Sequence, residues 1–427
     1  MRVALIVHKF PVLSQTFILN QITGLIDRGH EVDIYTEQWG DCTKVHPDVE
    51  TYSLLKRSYR LTSVPGNQFW RLIKGIGLFG RHFYRAPDLF LQSFNVKKYG
   101  LQAIGLWLMY SAISLIDKQP YDIVHCQFGT QGYQGLFFRH LLHPKPKLIV
   151  MFRGHDISRH PQEKGIHVYD ELFKASDFFL ANCEFFRKRV IQLGCDPNRI
   201  AVHRSGLDCG KFTFAPRSIP PDGRIRIVTT GRLVEKKGIE YAIRAVAQQA
   251  RTYANLEYWI VGDGPLRDNF QTLIQQLQCD SVIKLVGGKT QQELIDILKQ
   301  THLFMAPSVT AQDGDQDAPI NVLKEAMAMG IPVISTLHGG IPELVEDGVS
   351  GFLVPERDAE ALAEKLGYLI EHPERWTEMG QAGRAYVEQH YNIHRLNDKL
   401  VQLYQRLLET DDLAVRSQPA LMEPSHP

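Results

Sequence analysis

Two cationic side chains follow a glycine near the start of the second half of the chain. The apolar run Ile227–Thr230 leads to Gly231, Arg232 and Lys237, and a helical pattern begins at Ile239. A glycine at the end of a strand lets the backbone approach a ligand closely, and two cations beside it can neutralise a diphosphate. A basic surface loop without a ligand is the alternative, and these residues alone leave both interpretations open.

Two carboxylates and the start of a helix form a second candidate site. Asp317 and Glu325 are eight positions apart, with Pro319 between them. This spacing places Asp317 in the loop or at the helix cap and Glu325 inside the helix, where the two can hold hydroxyl groups of one elongated ligand. Free backbone amides at the helix start, such as those of Ala318 and Ile320, favour a phosphate between them. The alternative is a capped and solvated helix end.

The same loop contains a cluster of acidic residues that could hold a metal ion. Asp313, Asp315 and Asp317 stand within five positions. Carboxylate oxygens are the ligands that magnesium prefers. Because Asp313 and Asp315 lie in a segment predicted to be a flexible loop, we predict that no metal is bound and keep magnesium as the alternative.

A third candidate lies in the first half, where the predicted strand Lys147–Phe152 ends. Arg153, His155 and Asp156 follow that strand. Polar side chains at the junction of a strand and a loop are positioned to face a cleft, although Asp156 can also serve as the cap of the following turn.

The first loop of the chain offers the hydroxyl groups of Ser14 and Thr16 before a helical pattern. It lacks the glycine triplet of a dinucleotide-binding site, which argues against a dehydrogenase.

Short apolar runs alternate with longer helical patterns along the chain, and this alternation predicts an α/β fold with parallel sheets. The predicted strands of the first half are Arg2–Val7, Glu31–Thr36, Ile123–Cys126, Lys147–Phe152, Phe178–Ala181 and Ile200–Val202. Those of the second half are Ile225–Thr230, Leu256–Val261, Val282–Val286, Leu303–Pro307, Pro332–Ser335 and Gly351–Val354. Predicted helices such as Ile239–Gln249, Pro265–Leu277 and Gln291–Gln300 follow the strands of the second half.

The predicted domain organisation is two doubly wound domains in tandem. Prolines between Phe212 and Gly223 predict an irregular linker. We assign the domains to residues 1–208 and 225–395, the linker to 209–224, a C-terminal helix that packs back on the first domain to 396–410, and a disordered tail to 411–427. Because ligands bind at the carboxyl ends of strands in such sheets, two domains facing each other form a cleft.

The composition of the 427 residues is that of a globular protein. Apolar residues make up 44% and charged residues 22%, which permits a sizeable core and excludes wholesale disorder. With 48 Lys and Arg against 47 Asp and Glu, the net charge of +1 provides no global attraction to nucleic acid. The six cysteines are scattered, so we predict neither a zinc site nor a disulfide framework. The absence of a disulfide pattern predicts a cytoplasmic location.

The stretch from Tyr99 to Ile116 carries no charge and is near the lower length limit of a membrane span. Gly100 and Gly105 are among the residues that dilute its apolar character. We therefore predict a buried helix there and keep a membrane span as the alternative.

One segment of the first half is strongly basic. Between Lys56 and Lys98 there are nine basic residues and a single acidic one, Asp88, interleaved with aromatic residues such as Trp70 and Phe79. A basic, aromatic and amphipathic stretch is typical of peripheral attachment to an anionic membrane surface. A solvated face on helices that pack against the core is the alternative.

Several of these motifs together resemble a known family. The second half resembles the donor domain of the retaining GT-B glycosyltransferases of family 4, through Gly231-Arg-Leu with Lys237-Gly238, the pair Asp317 and Glu325, and the stretch Ser335–Pro355 with its His338-Gly-Gly340 and Pro342-Glu343. The first half, through Lys9-Phe-Pro11, Ser14-Gln-Thr16-Phe17 and Leu19-Asn20-Gln21, is similar more narrowly to the colanic-acid and related exopolysaccharide glycosyltransferases. The resemblance covers nearly the whole chain.

This resemblance implies a fold and an activity. The fold would be GT-B, with two Rossmann-like doubly wound domains facing a central cleft. The enzyme would transfer a sugar from a nucleotide diphosphate sugar, UDP- or GDP-linked, with retention of anomeric configuration and without a metal ion or other cofactor. The acceptor would be a growing, lipid-linked glycan, bound by the first domain. Since such glycans are assembled on a lipid at the cytoplasmic face, the enzyme would be peripheral on the inner face of the plasma membrane.

The resemblance also assigns roles to individual residues. Arg232 and Lys237 would neutralise the diphosphate, Asp317 would contact the donor sugar and Glu325 would hold the ribose. Together with Arg153 and His155, the first three of these are the predicted catalytic residues. The predicted substrate-binding residues are Glu325, Ser14, Thr16, Asp156, Gly231, Val286 and Gly287 near the base, Ala318, Ile320 and Asn321.

The sequence departs from the family pattern at two positions. The family usually has glutamate where Asp317 stands, so the identity of the donor sugar cannot be carried over. The strand-end motif of the first half more often reads His-Gly, and Arg153 occupies the histidine place. His155 would share the side of Arg153 if the strand continued, and which of the two faces the sugar is open. These departures keep two alternatives in view, an inactive nucleotide-sugar-binding partner subunit and an epimerase on the same two-domain plan.

Overall fold

The computed structural model describes residues 1–13, 15–43, 45–317 and 320–409, which form two parallel sheets. The first sheet has the order β3-β2-β1-β4-β5-β6-β7 and consists of β1 (Arg2–Phe10), β2 (Glu31–Trp39), β3 (Ser58–Arg60), β4 (Ile123–Cys126), β5 (Lys147–Phe152), β6 (Phe178–Ala181) and β7 (Ile200–Val202). The second has the order β10-β9-β8-β11-β12-β13 and consists of β8 (Ile225–Thr230), β9 (Leu256–Val261), β10 (Ile283–Gly287), β11 (Leu303–Ala306), β12 (Val333–Thr336) and β13 (Gly351–Val354).

Helices cover both sheets. Those of the first half are α1 (Thr16–Asp27), α2 (Pro47–Thr51), α3 (Gln68–His82), α4 (Pro87–Ser93), α5 (Val96–Tyr99), α6 (Leu101–Ile104), α7 (Trp107–Ile113), α8 (Gly132–Leu141), α9 (Arg159–Lys164), α10 (Asp170–Ala175) and α11 (Glu184–Gln192). Those of the second half are α12 (Ile239–Gln249), α13 (Arg267–Gln276), α14 (Gln291–Lys299), α15 (Asn321–Ala328), α16 (Ala359–Glu371), α17 (Glu374–His390) and α18 (Ile393–Glu409). Short 3-10 turns lie at Leu54–Arg57, Phe83–Arg85, Gly129–Gln131, Pro197–Arg199, Cys209–Lys211, Glu235–Lys237 and Ile341–Glu343.

The predicted α/β class and the twelve predicted strands are confirmed. The first two strands extend three residues beyond their predicted ends, to Phe10 and Trp39. β1 shows why these strands can be predicted from the sequence. Its residues Val3–Val7 are all fully buried. A central parallel strand is covered by helices on both faces, so its sequence is an unbroken apolar run.

The prediction for the stretch from Tyr99 to Ile116 is wrong, because it is not one helix. Three short helices, α5 to α7, contribute to it, and the chain changes direction between them. Gly100 and Leu106 have φ values of 51° and 62°, which interrupt a right-handed helix. Among the described residues, no helix combines the length and the apolar character that crossing a membrane requires.

The chain between the two sheets is irregular but packed. Residues 212–224 contain neither helix nor strand. Phe212 is buried, and the Arg217 guanidinium donates to the carbonyl oxygens of Lys299 at 2.7 Å and Met329 at 3.1 Å. The segment therefore runs along the second domain as part of its surface.

The last described helix, α18, returns to the first sheet. It begins at Ile393, three residues before the predicted start. Leu400 and Tyr404 join the core that lies under α1, and the Tyr404 hydroxyl is 2.5 Å from Nδ1 of His125 in β4. The predicted tail, 411–427, lies outside the described residues.

The strand order reverses beside the first strand of each sheet. β1 lies between β2 and β4, and β8 lies between β9 and β11. At such a reversal the loops leave the carboxyl ends of neighbouring strands in opposite directions and open a crevice for a ligand. The two crevices therefore open beside the loops after β1 and β4 in the first sheet and after β8 and β11 in the second.

Candidate active site

The second sheet brings residues from five strands to one edge. Gly231 follows β8, Gly287 ends β10, Ser308 lies just after β11, His338 just after β12 and Glu356 just after β13. All five strands run parallel, so their carboxyl ends meet along this edge. The side chains of the candidate site lie at or just beyond these strand ends.

Asp317 is the centre of this edge. It is 7% exposed, its Oδ2 accepts from Nζ of Lys237 at 2.8 Å and from Oγ of Ser308 at 3.0 Å, and its Oδ1 lies 3.4 Å from Nζ of Lys236. Burial alone would raise the pKa of Asp317, but the two ammonium groups outweigh burial and hold that pKa well below its usual range. The carboxylate therefore stays ionised, and both of its oxygens already have partners.

A buried histidine fixes the backbone of Asp317. Nε2 of His338, which is 0% exposed, accepts from the Asp317 amide at 2.9 Å, and Nδ1 of His338 lies 2.6 Å from Oε1 of Glu356. Because Nε2 acts as the acceptor, Nδ1 carries the proton and donates it to the Glu356 carboxylate. The backbone of Gly339, which has φ 53°, also packs against Asp317. A Cβ at this position would lie 2.1 Å from the Asp317 carbonyl oxygen, so the position requires glycine.

Lys236 and Lys237 are placed by the single 3-10 turn Glu235–Lys237. Gly238 ends this turn with φ 59°, and a Cβ at that position would lie 1.8 Å from the carbonyl oxygen of Pro307. Nζ of Lys236 pairs with Asp315 at 2.8 Å. Nζ of Lys237 donates one hydrogen to Asp317, and an ammonium group has three, so hydrogens remain for a second acceptor.

Arg232 has a different environment from the two lysines. Its side chain is exposed, and among the described residues it takes part in no ion pair or side-chain hydrogen bond. A guanidinium can hold two oxygens of a phosphate at once. Arg232 is therefore a cation at the sheet edge with its hydrogen-bonding capacity available.

Glu325 lies in α15, the helix that follows the Asp317 loop. Its carboxylate is half-buried and has no hydrogen-bond partner among the residues that the structure describes. Burial raises the pKa of Glu325 to about 7, against the effect of the neighbouring Lys324. Lys324 points the other way, and its Nζ donates to the Ser205 carbonyl oxygen of the first half at 2.8 Å.

Arg153 lies at the end of β5 in a buried polar network. It is 8% exposed, and its guanidinium donates to Oγ of Ser205 at 2.9 Å and to Oε1 of Gln127 at 2.8 Å. Its Cζ lies 4.6 Å from the ring centre of Phe17, next to Thr16. Burial lowers the pKa of Arg153 to about 9, opposed by Asp156. Ser205 thus joins Arg153 of the first half to Lys324 of the second.

His155 does not share the side of Arg153. β5 ends at Phe152, and His155 lies in the turn that follows, exposed and without a side-chain hydrogen bond among the described residues. The condition under which the two side chains would share a side, a continuing strand, is therefore not met, and of the two His155 is the one in contact with solvent.

Asp156 turns out to be the cap of that turn. It is 1% exposed, and its carboxylate accepts from the amides of Arg153 at 3.0 Å, Gly154 at 2.9 Å and Gly129 at 2.8 Å. Three backbone donors leave the carboxylate little capacity for a ligand.

The two halves meet across the loop that contains Asp317. Nη1 of Arg159 lies 2.9 Å from Oδ2 of Asp313, and Nη1 of Arg189 donates to Oε1 of Gln316 at 2.5 Å. Gly154 also approaches this loop, since a Cβ there would lie 3.7 Å from the Gln316 carbonyl oxygen. The carboxyl ends of the two sheets therefore face each other, as the predicted central cleft requires.

Glu343 makes a further bond between the halves that the sequence did not predict. Its carboxylate accepts from the amides of Glu184 at 2.8 Å and Phe185 at 2.7 Å, at the N-terminus of α11. A carboxylate at this end of a helix satisfies free amides and interacts favourably with the helix dipole. This contact is therefore one of the bonds that join the second domain to the first.

The remaining predicted positions lie around the same edge. Thr16 begins α1, half-exposed, and Val286 and Gly287 are half-buried at the end of β10. Ile320 and Asn321 stand at the start of α15, where no side chain of the described residues caps the helix. Ser14 and Ala318 lie outside the described residues.

The acidic loop is paired with cations. Asp313 pairs with Arg159, Asp315 with Lys236, and Asp317 with both lysines. Among residues 1–13, 15–43, 45–317 and 320–409, no three His, Cys, Asp or Glu side chains are grouped so that they could hold a metal ion.

Comparisons with known families cover most of the chain. Residues 14–211 match the family described as Glycosyltransferase Family 4, and residues 211–386 match Glycosyl transferases group 1. WcaL of Salmonella typhimurium, which is assigned to colanic acid biosynthesis as a glycosyltransferase, is 37% identical over 95% of this chain and 100% of its own length. The amylovoran biosynthesis glycosyltransferase AmsK of Erwinia amylovora is 34% identical over the same shares.

Solved structures show the same architecture. HepE of Anabaena, in complex with UDP and glucose, has 17% identity and a TM-score of 0.69 over 95% of this chain and 100% of its own. The two facing sheets are thus those of a GT-B fold, as the motifs indicated. From the sequence matches over both halves, the chain belongs to the glycosyltransferases that join a family 4 domain to a group 1 domain.

Proposed function

We propose that this glycosyltransferase takes a sugar from a nucleotide diphosphate sugar and transfers it, with retention of configuration, to a lipid-linked exopolysaccharide acceptor. The observation that carries the proposal is the placement of two cations at the carboxyl ends of the second sheet, with Lys237 paired to Asp317 and Arg232 exposed just after β8. The names of the relatives WcaL and AmsK, which refer to colanic acid and amylovoran, support an exopolysaccharide product. HepE, whose structure contains UDP and glucose, supports a nucleotide sugar as donor.

In the proposed reaction the main contribution of the protein is electrostatic. The acceptor hydroxyl oxygen attacks C1 of the donor sugar, the bond from C1 to the phosphate oxygen breaks on the same face, and that phosphate oxygen takes the hydroxyl proton. Arg232 and Lys237 would stabilise the negative charge that develops on the departing diphosphate. Both oxygens of Asp317 are held by Lys236, Lys237 and Ser308, so the proposal uses this carboxylate to position groups and not as a nucleophile.

The carboxylate of Glu325, which has no hydrogen-bond partner within the described part of the chain, supports its proposed role on the ribose. An ionised carboxylate accepts hydrogen bonds from two ribose hydroxyls, whereas the protonated form accepts fewer. Because burial raises the pKa of Glu325 to about 7, the ionised fraction increases between pH 6 and pH 8. We expect the KM for the donor to fall as the pH rises through this range. Steady-state kinetics of the native protein and of Glu325→Gln test this expectation.

In Glu325→Gln the donor KM should stay near the high value that the native protein shows at pH 6. If the variant retains the same pH dependence as the native protein, another group causes it, and the assignment of Glu325 to the ribose is wrong.

The pairing of the acidic loop with cations supports a reaction that does not depend on a metal ion. With cationic side chains serving the diphosphate, we expect transfer to continue in excess EDTA at the rate seen without it. The measurement is the initial rate of transfer with EDTA, and again after addition of magnesium or manganese. Loss of transfer in EDTA and recovery with either metal would make Asp313, Asp315 and Asp317 metal ligands and overturn this part of the proposal.

The proposed activity is tested by incubating the protein with a panel of UDP- and GDP-sugars and a lipid-linked acceptor. Transfer of sugar to the lipid fraction supports the proposal and identifies the donor. Interconversion of sugars without acceptor would indicate an epimerase instead. Binding of a nucleotide sugar without either reaction would indicate an inactive partner subunit.

A further inference from the structure

Helix α3 exposes an apolar face to solvent. The exposed fractions are 65% for Phe69, 62% for Trp70, 53% for Leu72, 45% for Ile73 and 65% for Ile76. Only Gly75 of its fifteen residues is buried. A helix at the surface of a soluble domain normally turns its apolar stripe inward, so this outward face has no partner among the residues that the structure describes.

The neighbouring short helices extend the apolar surface. α3 packs on α7, where Gly75 faces Met109 and the Arg71 guanidinium lies 4.8 Å from the ring centre of Trp107. Trp107 is itself 40% exposed, and in α6 Leu101 is 82% and Ile104 61% exposed. The exposed apolar side chains of α3 and those of α6 and α7 therefore belong to neighbouring parts of the protein surface.

Two of the cations in this region serve the fold. Arg71 donates to the carbonyl oxygens of Pro65 at 2.8 Å and Gly105 at 3.3 Å, and Lys74 donates to that of Ser63 at 2.9 Å. These bonds tie α3 to the segments on either side of it. Arg71 and Lys74 are therefore unsuitable for a test of surface charge, because their removal would loosen the helix.

Other cations of the basic segment between Lys56 and Lys98 remain available. Lys56, Arg60, Arg81 and Lys97 are exposed and belong to no ion pair among the described residues. Asp88 is the single acidic residue between Lys56 and Lys98. An apolar helix face within a basic, aromatic surface matches the interface of an anionic bilayer, in which cations meet the headgroups and apolar side chains reach the acyl chains.

We propose that α3 lies in the plane of an anionic membrane, with Phe69, Trp70, Leu72, Ile73 and Ile76 inserted at the boundary of the acyl chains. The proposal deepens the function above and rests on it, since a lipid-linked acceptor would lie in that membrane. Attachment through apolar insertion differs from attachment by charge alone in its response to salt. Screening weakens the headgroup contacts as the Debye length falls to about 3 Å at 1 M salt, but it leaves the inserted side chains in place.

The test is cosedimentation of the full chain with vesicles of phosphatidylcholine containing 30% phosphatidylglycerol, without donor or acceptor. We expect binding at 0.1 M salt that is reduced but not abolished at 1 M salt. The triple variant W70S, I73S and I76S should bind at least about tenfold more weakly, because it removes the inserted side chains. I219S is the matched control, since Ile219 is 44% exposed but belongs to the segment that runs along the second domain, and it should bind as the native protein does.

Three results would overturn the proposal. The first is a native protein that remains in the supernatant with these vesicles at low salt, and the second is a triple variant that binds the vesicles as well as the control does. The third is a concentration-dependent dimer that forms without lipid and that the triple variant abolishes. Circular dichroism and the urea midpoint of each variant show whether it is folded. Vesicle binding requires no nucleotide sugar, so failure of the proposed transfer reaction and failure of this proposal are separate outcomes.

Discussion

Replacing Arg232 or Lys237 by alanine is expected to reduce the turnover of sugar transfer by about 30- to 1,000-fold, which corresponds to about 2–4 kcal/mol. The reason is that each cation would stabilise charge that develops only as the diphosphate departs. The measurement is kcat with saturating donor for both variants. Arg251→Ala is the matched control, since Arg251 is an exposed cation just after α12, at the opposite end of that helix from Lys237.

The two variants should differ in stability. Arg232 is exposed and unpaired among the described residues, so Arg232→Ala should unfold at the same urea concentration as the native protein. Lys237→Ala removes a partner of buried Asp317 and should unfold earlier. Turnover within about twofold of the control in either variant would show that the missing cation does not act on the leaving group.

Asp317→Asn is expected to have the second large effect, on both stability and turnover. The substitution leaves Lys236 and Lys237 without their shared carboxylate, and removing one member of a buried ion pair typically costs about 3–5 kcal/mol. Asp317→Glu retains the charge and should lose less stability and less turnover than Asp317→Asn does. Urea unfolding and kcat/KM of the two variants provide the comparison. Equal stability of Asp317→Asn and the native protein would show that the ion pairs of this carboxylate do not stabilise the fold.

The same ion pairs give stability a defined dependence on pH. The folded-state pKa of Asp317 is depressed below the value of about 3.9 expected in the unfolded chain. Its contribution is therefore fully present above that value and is lost as the pH falls toward the folded-state pKa. Asp317→Asn should flatten the fall in unfolding free energy over this acidic range.

The fold could be predicted where the burial of a strand or helix is visible in the hydrophobic pattern of its own sequence. Central strands such as β1 and β8 are buried on both faces, so their sequences are continuous apolar runs bounded by polar residues. β3 was missed because it is three residues long, Ser58–Arg60, at the edge of the sheet. The single helix predicted from Tyr99 to Ile116 is wrong because apolar content does not reveal where a helix breaks, and the positive φ of Leu106 in particular has no signal in the sequence.

The candidate site was predictable only in part, because its geometry depends on contacts between distant positions. Glycines and cations after β8 are visible in the sequence, but the bond from Lys237 to Asp317 joins residues 80 positions apart. His338 and Glu343 belong to a motif that the sequence shows, but their types and spacing do not indicate what they contact. The structure shows that one holds the Asp317 backbone and the other caps a helix of the opposite domain.

The most direct test of the central claim is one NMR measurement on the product formed from a nucleotide sugar labelled with ¹³C at C1. The native protein is incubated with the labelled donor, the lipid-linked acceptor and excess EDTA. We expect the label to appear in a new glycosidic linkage with the anomeric configuration of the donor. Label that remains in the nucleotide sugar, or that appears in a linkage of inverted configuration, would contradict the proposed retaining transfer.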